Sequence, residues 1–165
     1  MFERLSLEAF QSGLSWLIIL RKRPEFRRAF CDFRIAQVAQ LGPPDIDRLL
    51  GNPGIVRNRA KIAATLTNAR AALDLPEGLA AYAWSFAPGT SGRPPRTAAE
   101  VPASTDESVA LARGLRQRGF RFVGPTTAYA LMQATGMVDD HLADCWRRVT
   151  SATSGGRAAS GQRPR

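Results

Sequence analysis

Lysine is almost missing from this chain. Lys22 and Lys61 are the only two, although Lys and Arg together number 23 against 14 Asp and Glu. Arginine therefore carries the net charge of +9. A GC-rich genome favours arginine codons, so the bias alone names no ligand, but a surplus of this sign favours an anionic partner, nucleic acid or acidic lipid first. Cysteine occurs twice, at Cys31 and Cys145. So few cysteines, with no secretory h-region in "MFERLSLEAF", point to a reducing compartment. Long apolar runs are missing too. The longest, Leu14 to Leu20, is broken by Ser15 and falls far short of the ~20 residues that span a bilayer. These absences together predict a cytoplasmic protein without a membrane segment.

Strand-type alternation and internal repeats are also lacking, and the periodicity that is present is helical. In "FERLSLEAFQS" (2–12), Arg4, Glu8 and Gln11 fall in one narrow wedge at 100° per residue, and apolar residues fill most of the remaining circumference. A helix with that pattern is expected to be buried on several sides. Gly13 interrupts it, and Ser12 or Ser15 can cap a second segment that "RKRP" ends. Further helical stretches are expected at about 25–41, 44–51, 55–74 and 78–86, separated by "LGPPD", "GNPG" and "LPEG". A long Pro/Gly/Ser loop covers 87–104. "STDE" has capping-box spacing, with Ser104 as cap and Glu107 three residues on, and opens a helix to Gly119. Pro125 suits the first turn of a last helix ending near Gly136. Residues 1–149 read as one all-α domain and 150–165 as a disordered basic tail.

Three constellations carry chemistry. "LLGNPGIVRNRAKIAATLTNA" (49–69) looks like two helices joined by a tight turn. Gly54 would bring backbone N–H groups close to a phosphate, and Arg57, Arg59 and Lys61 sit just inside the second helix. The segment resembles a helix-hairpin-helix, but Val56 stands where that motif usually has a second glycine, so an ordinary αα-turn with a solvated basic face competes. "LARGLRQRGFRFVG" (111–124) clusters Arg113, Arg116, Arg118 and Arg121 around a helix end, where they serve the helix dipole or form a second basic lip of one cleft. In "DDHLADC" (139–145), His141 and Cys145 lie four apart, on one face of a helix, as a metal half-site. His141 is the only histidine, so the usual ligand types do not complete a zinc. A structural pair is the competing reading.

Taken in order, "LEAFQSGLSW" (7–16), "GIVRNRAKI" (54–62), "AYAWSF" (81–86) and "PASTDESVALARGLRQRGFRFVGPTTAYALMQATGMVDDHLADC" (102–145) resemble the DNA-3-methyladenine glycosylase I family, an all-α branch of the helix-hairpin-helix DNA glycosylases. The resemblance implies a cleft between helical lobes and a monofunctional enzyme of base excision repair. Its partner would be double-stranded DNA containing an alkylated adenine, and the protein a monomer near the nucleoid. It implies that Glu8 and Trp16 contact the excised base, with Glu8 the catalytic carboxylate. Gln11, Gly13 and Leu14 would lie near the gap left in the duplex. Gly54, Arg57, Arg59, Lys61, Arg118 and Arg121 would face DNA. His141 and Cys145 match two ligands of a structural zinc. The other two belong to N-terminal "CxW" and "YHDxEWG" segments that precede the matching region in the family, so the zinc is expected to be incomplete here. No cofactor is expected for the chemistry itself.

The physical sense of Glu8 follows from the substrate. 3-Methyladenine in DNA is a cation, which already makes it a fair leaving group. The enzyme must extrude the nucleotide and hold a positive ring. Aromatic faces attract cations, and a buried carboxylate attracts them more strongly as water leaves. No lysine stands out for a Schiff base, and "GPTTAYALMQ" (124–133) offers no aspartate of the kind glycosylases of the broader superfamily usually carry. The competing reading for Glu8 is a surface salt bridge with Arg4. For the whole chain the rival is a DNA-binding remnant with an impaired pocket.

Overall fold

The computed structural model describes residues 1–89 and 93–147, all-helical with no strand among them. The tail expected at 150–165 lies outside the described residues. The eight α-helices among the described residues are α1 (Phe2–Gln11), α2 (Trp16–Ala29), α3 (Ile35–Gln40), α4 (Pro43–Leu50), α5 (Arg59–Leu73), α6 (Gly78–Trp84), α7 (Asp106–Gln117) and α8 (Pro125–Thr135).

α1 is the hub. It packs against α8, α2 and α5, and Phe2, Leu5, Leu7 and Phe10 all lie in the core. Phe10 meets Phe26 at a ring-centroid distance of 4.6 Å, and Phe26 stacks on Phe30. Each of these side chains contributes on the order of 2–3 kcal/mol by leaving water.

α2 departs from the sequence expectation. It does not stop at "RKRP" but runs on through Pro24 to Ala29. Proline removes one intrahelical bond there, normally a stop signal. Tertiary ties on both sides of Pro24 override it. Glu3 of α1 accepts from Arg23 and from Arg27, each at 2.8 Å, while Phe26 and Ala29 seat in the core. The guanidiniums, Arg27 foremost, pull the Glu3 carboxyl down to about 2 against desolvation.

The single helix expected over 25–41 is broken at Cys31, Asp32 and Phe33, three successive non-glycine residues with φ near +54. Such left-handed backbone costs on the order of 1–2 kcal/mol per residue. Burial of the Phe33 ring against Phe30, 5.7 Å between centroids, and against Phe2 offsets it. Cys31 is half-buried at this turn.

The remaining helix ends follow local rules. Asn58 caps α5 by accepting from Lys61 N. The cap of α7 is Thr105 rather than Ser104. Its Oγ1 accepts from Ser108 N, and Ser108 Oγ accepts from Thr105 N at 2.8 Å, so the box sits one residue later than expected and uses a hydroxyl where a Glu was assigned. Gly136, with φ +76, closes α8.

Candidate nucleic-acid interface and base site

Glu8 lies in the last turn of α1 with 3% of its surface exposed. Its carboxylate makes no hydrogen bond or close ion pair with a described residue. Arg4, one turn away and exposed, acts on it only through space. The surface salt bridge is therefore not what forms. Burial raises the Glu8 pKa from 4.5 to about 7, and the nearby Arg4 charge opposes that rise. A carboxyl so placed is poised between acid and anion at neutral pH.

A tight turn follows α1. Gly13 has φ +82 with nothing within 4 Å of where a Cβ would stand, and only the left-handed region closes the turn into α2. Gln11 Nε2 donates to Leu14 O at 2.7 Å across it. Trp16 is the first residue of α2 and packs half-buried against the core, as does Leu14. This turn thus carries Gln11, Gly13 and Leu14 together, between the helix of Glu8 and the helix of Trp16.

Ser12 at its tip lines an open groove of about 710 Å³ whose opposite wall is the loop between α7 and α8. Arg116, Gly119, Arg121, Phe122, Gly124 and Thr127 are among the lining residues; Glu8 is not. The first intrahelical bond of α8 runs from Ala128 N to Gly124 O, and Pro125 has no N–H. The N–H groups of Thr126 and Thr127 are left at the helix start, where the dipole is positive and an anion is welcome. With the exposed side chains of Arg116 and Arg121 beside it, this wall suits a phosphate backbone. Arg118, expected to face DNA, stacks over the Tyr82 ring at 4.1 Å and donates to its hydroxyl at 2.7 Å. Tyr82 itself is buried, while Arg118 stays exposed.

The turn between α4 and α5 is built differently from the expected phosphate cradle. Gly54 N donates to Asn52 Oδ1 at 2.8 Å, Asn52 Nδ2 donates to Glu25 Oε1 at 2.9 Å, and Lys22 Nζ donates to Pro53 O at 2.6 Å. A Cβ at Gly54 would come within 2.2 Å of Glu25 Cγ. Glycine is needed there for the close approach of α2, and its N–H is already engaged. Arg57 precedes α5 instead of lying inside it, and Arg59 pairs with Asp47 at 2.5 Å on the surface. These two keep their exposed charge.

Lys61 is a correction. Placed with the DNA-facing cations by the sequence, it is only 9% exposed. Its Nζ donates to Phe10 O at 3.0 Å and to Ser12 O at 2.6 Å, tying down the carbonyls at the end of α1. Burial lowers its pKa. One face of α5 continues from Lys61 through Thr65 to Asn68, a buried residue that sequence reading passed over. Asn68 Oδ1 accepts from Arg121 N at 2.7 Å, and Asn68 Nδ2 donates to Arg121 O at 3.0 Å. α5 thus holds both walls of the groove through two buried polar side chains seven residues apart. The signal was there: an asparagine among alanines is a poor helix interior residue unless its amide has work elsewhere.

His141 and Cys145 lie close, with Cys145 Sγ 3.6 Å from His141 Nδ1. A turn brings them together, not the helix face the spacing suggested, since 141–147 carry no helix. Asp140 ties the segment to α8, accepting from Tyr129 Oη and from Gln133 Nε2. The separation matches an N–S edge of a tetrahedral zinc, about 3.5 Å from ordinary bond lengths. No group of three or more His, Cys, Asp or Glu among the described residues is placed to hold a metal ion; His141 and Cys145 supply two of the four donors a tetrahedral zinc takes. A further cavity of about 740 Å³, lined by Arg93, Arg96, Glu100, Tyr129 and Asp140 among others, shares no residue with the groove or with α1.

Comparison with known proteins places this geometry. A family model described as methyladenine glycosylase matches residues 1–148. The chain is similar to DNA-3-methyladenine glycosylase of Haemophilus influenzae, 42% identical over 151 residues, covering 88% of this chain and 80% of the relative. It is similar to DNA-3-methyladenine glycosylase 1 of Escherichia coli strain K12, 41% identical over 152 residues with the same coverage. A solved structure addressing 3-methyladenine recognition by 3-methyladenine DNA glycosylase I from Staphylococcus aureus matches with a TM-score of 0.85. Its identity is 35%, over 90% of this chain and 81% of that one.

Proposed function

The chain belongs to the methyladenine glycosylase family, and from that premise we propose that it hydrolyses the N-glycosidic bond of 3-methyladenine in alkylated DNA, the opening step of base excision repair. The observation that carries the reading onto this chain's own residues is the buried Glu8 carboxyl, raised to about 7 and without a hydrogen-bonding partner among the described residues. A buried carboxyl with no fixed counter-ion gains most from a ligand that brings a positive charge. An alkylated adenine supplies one, whereas an ordinary adenine is neutral. Trp16, just across the Ser12–Ser15 turn, offers an indole face to the same cation.

In the reaction the bond between the sugar C1′ and the base nitrogen breaks, and its electron pair neutralises the ring. Water adds to C1′ and gives up a proton. Because the base leaves as a neutral molecule, little acid assistance is needed; Glu8 holds the cation in place and, as an anion, eases positive charge developing on the sugar. Both lysines are committed to backbone carbonyls, Lys22 to Pro53 and Lys61 to Phe10 and Ser12. That supports a monofunctional enzyme with no Schiff base.

Double-stranded DNA is held as an anion by the α7–α8 wall, Arg116 and Arg121, with Arg57 and Arg59 adding exposed charge from the α4–α5 turn. Ser12 lines the facing wall, and Gln11, Gly13 and Leu14 share its turn, which can enter the space left by an extruded nucleotide. The enzyme acts as a monomer, in the compartment that holds the chromosome, and needs no cofactor for bond cleavage. The experiment is release of free 3-methyladenine from methylated duplex. The parent releases it, and Glu8→Gln loses most of that release while keeping duplex affinity within about twofold. Equal release by both would remove Glu8 from the mechanism. Duplex binding with no release by the parent would favour the remnant reading.

A further inference from the structure

The loop that walls the groove contains one residue that packing does not explain. Phe122 has φ +56, a left-handed conformation that costs a bulky side chain on the order of 1–2 kcal/mol. The residue stays 46% exposed. Its neighbours behave as core residues should, with Phe120 and Val123 each 3% exposed. Strain of this kind persists only where the surroundings over-determine the backbone. Here they do: the Asn68 amide grips both the N–H and the C=O of Arg121. The carbonyl so held belongs to the peptide that leads into Phe122, and burial of Val123 fixes the other side. The ring is thereby kept in the wall of the groove, among Ser12, Arg116, Arg121 and Thr127.

We propose that Phe122 is a duplex-contacting residue, packing its ring against a base or deoxyribose while the flanking arginines take the phosphates, and that Asn68 is the positioning residue that aims it. This rests on the reading that the groove faces DNA. An aromatic ring beside cations is the pairing that nucleic acid presents in complement: apolar ring faces and sugars bordered by anionic phosphates. An exposed phenylalanine in strained backbone gives the free protein nothing in return.

The test is binding of a short undamaged fluorescent duplex across a salt series, with thermal unfolding alongside. Phe122→Gly removes the side chain and accepts positive φ, so its melting temperature should match the parent's or exceed it. Its duplex affinity should fall about tenfold, the size of one lost ring contact. The slope of log affinity against log salt should not change, because no charge is lost. Arg121→Ala should instead flatten that slope by about one. Asn68→Ala should weaken binding in the parent yet add almost nothing in the Phe122→Gly background, which a merely structural asparagine would not do. Affinity of Phe122→Gly within twofold of the parent overturns the inference, as does a parent with no duplex affinity. Base release is read separately. Its loss with binding intact sinks the proposed activity and leaves this contact standing.

Discussion

Glu8→Gln tests the electrostatic reading without any substrate. The two side chains have nearly the same shape, so the buried site is conserved and only the ionisable proton is removed. Folding raises the Glu8 pKa from 4.5 to about 7 through burial. Below pH 4.5 the carboxyl is protonated in both the folded and the unfolded chain, and the parent has its full stability. Between 4.5 and 7 the unfolded chain releases a proton that the folded one keeps, so stability declines as pH rises. Above 7 both states are ionised and the loss levels off. At 1.36 kcal/mol per unit, the shift corresponds to about 3 kcal/mol. Glutamine has no such loss. The variant should equal the parent within about 0.5 kcal/mol at pH 4 and exceed it by up to about 3 kcal/mol at pH 8, or roughly 6–12 °C in melting temperature for a chain of this size. Urea or thermal unfolding from pH 4 to 8, read as the difference between the two proteins, cancels every other titrating group. A difference independent of pH, or a variant less stable at pH 8, would refute the argument that burial sets this pKa. The same variant should lose most of its 3-methyladenine release, because the gain in stability and the loss of catalysis share one cause.

Three further outcomes follow from the packing. Glu3→Gln should destabilise the protein by about 1–2 kcal/mol at pH 7, since partial exposure screens its pairs with Arg23 and Arg27. With the folded carboxyl near 2, the parent's advantage is lost as pH falls from 4.5 through 2, so acid unfolding curves of the two should converge there. Lys61→Met should cost about 2–3 kcal/mol by leaving the carbonyls of Phe10 and Ser12 unpaired, while the salt slope of duplex binding stays as in the parent; a reduced slope would put Lys61 back against phosphate. Gly54→Ala should cost more than about 1 kcal/mol, because its Cβ would sit 2.2 Å from Glu25 Cγ; a neutral effect in chemical denaturation would show that Glu25 can step aside.

Much of the helical order was legible in the chain itself, because caps and breakers act over a few residues. Pro125 opens α8 and Gly136 closes it as read, and α6 and the α4–α5 boundary fall within a few residues of expectation. The motif string from residue 7 to residue 145 identified the family, which the matched model and the 41–42% identical relatives show. Local rules failed where distant partners decide. Pro24 reads as a stop, yet Glu3 in the preceding helix, bonded to Arg23 and Arg27, holds the helix together across it.

The one-dimensional string therefore determined most of the helical segments, the sign of the charge and the family. It could not say which polar side chain faces inward. Lys61 and Arg59 look alike as neighbouring cations, yet one caps α1 from the interior and the other pairs with Asp47 in water. Likewise Glu8 became a carboxyl of pKa about 7, and Asn68 a clamp on a loop 53 residues away, only once the helices had packed. The reason is that burial and hydrogen bonding depend on what lies across the fold, whereas propensity depends on what lies along the chain.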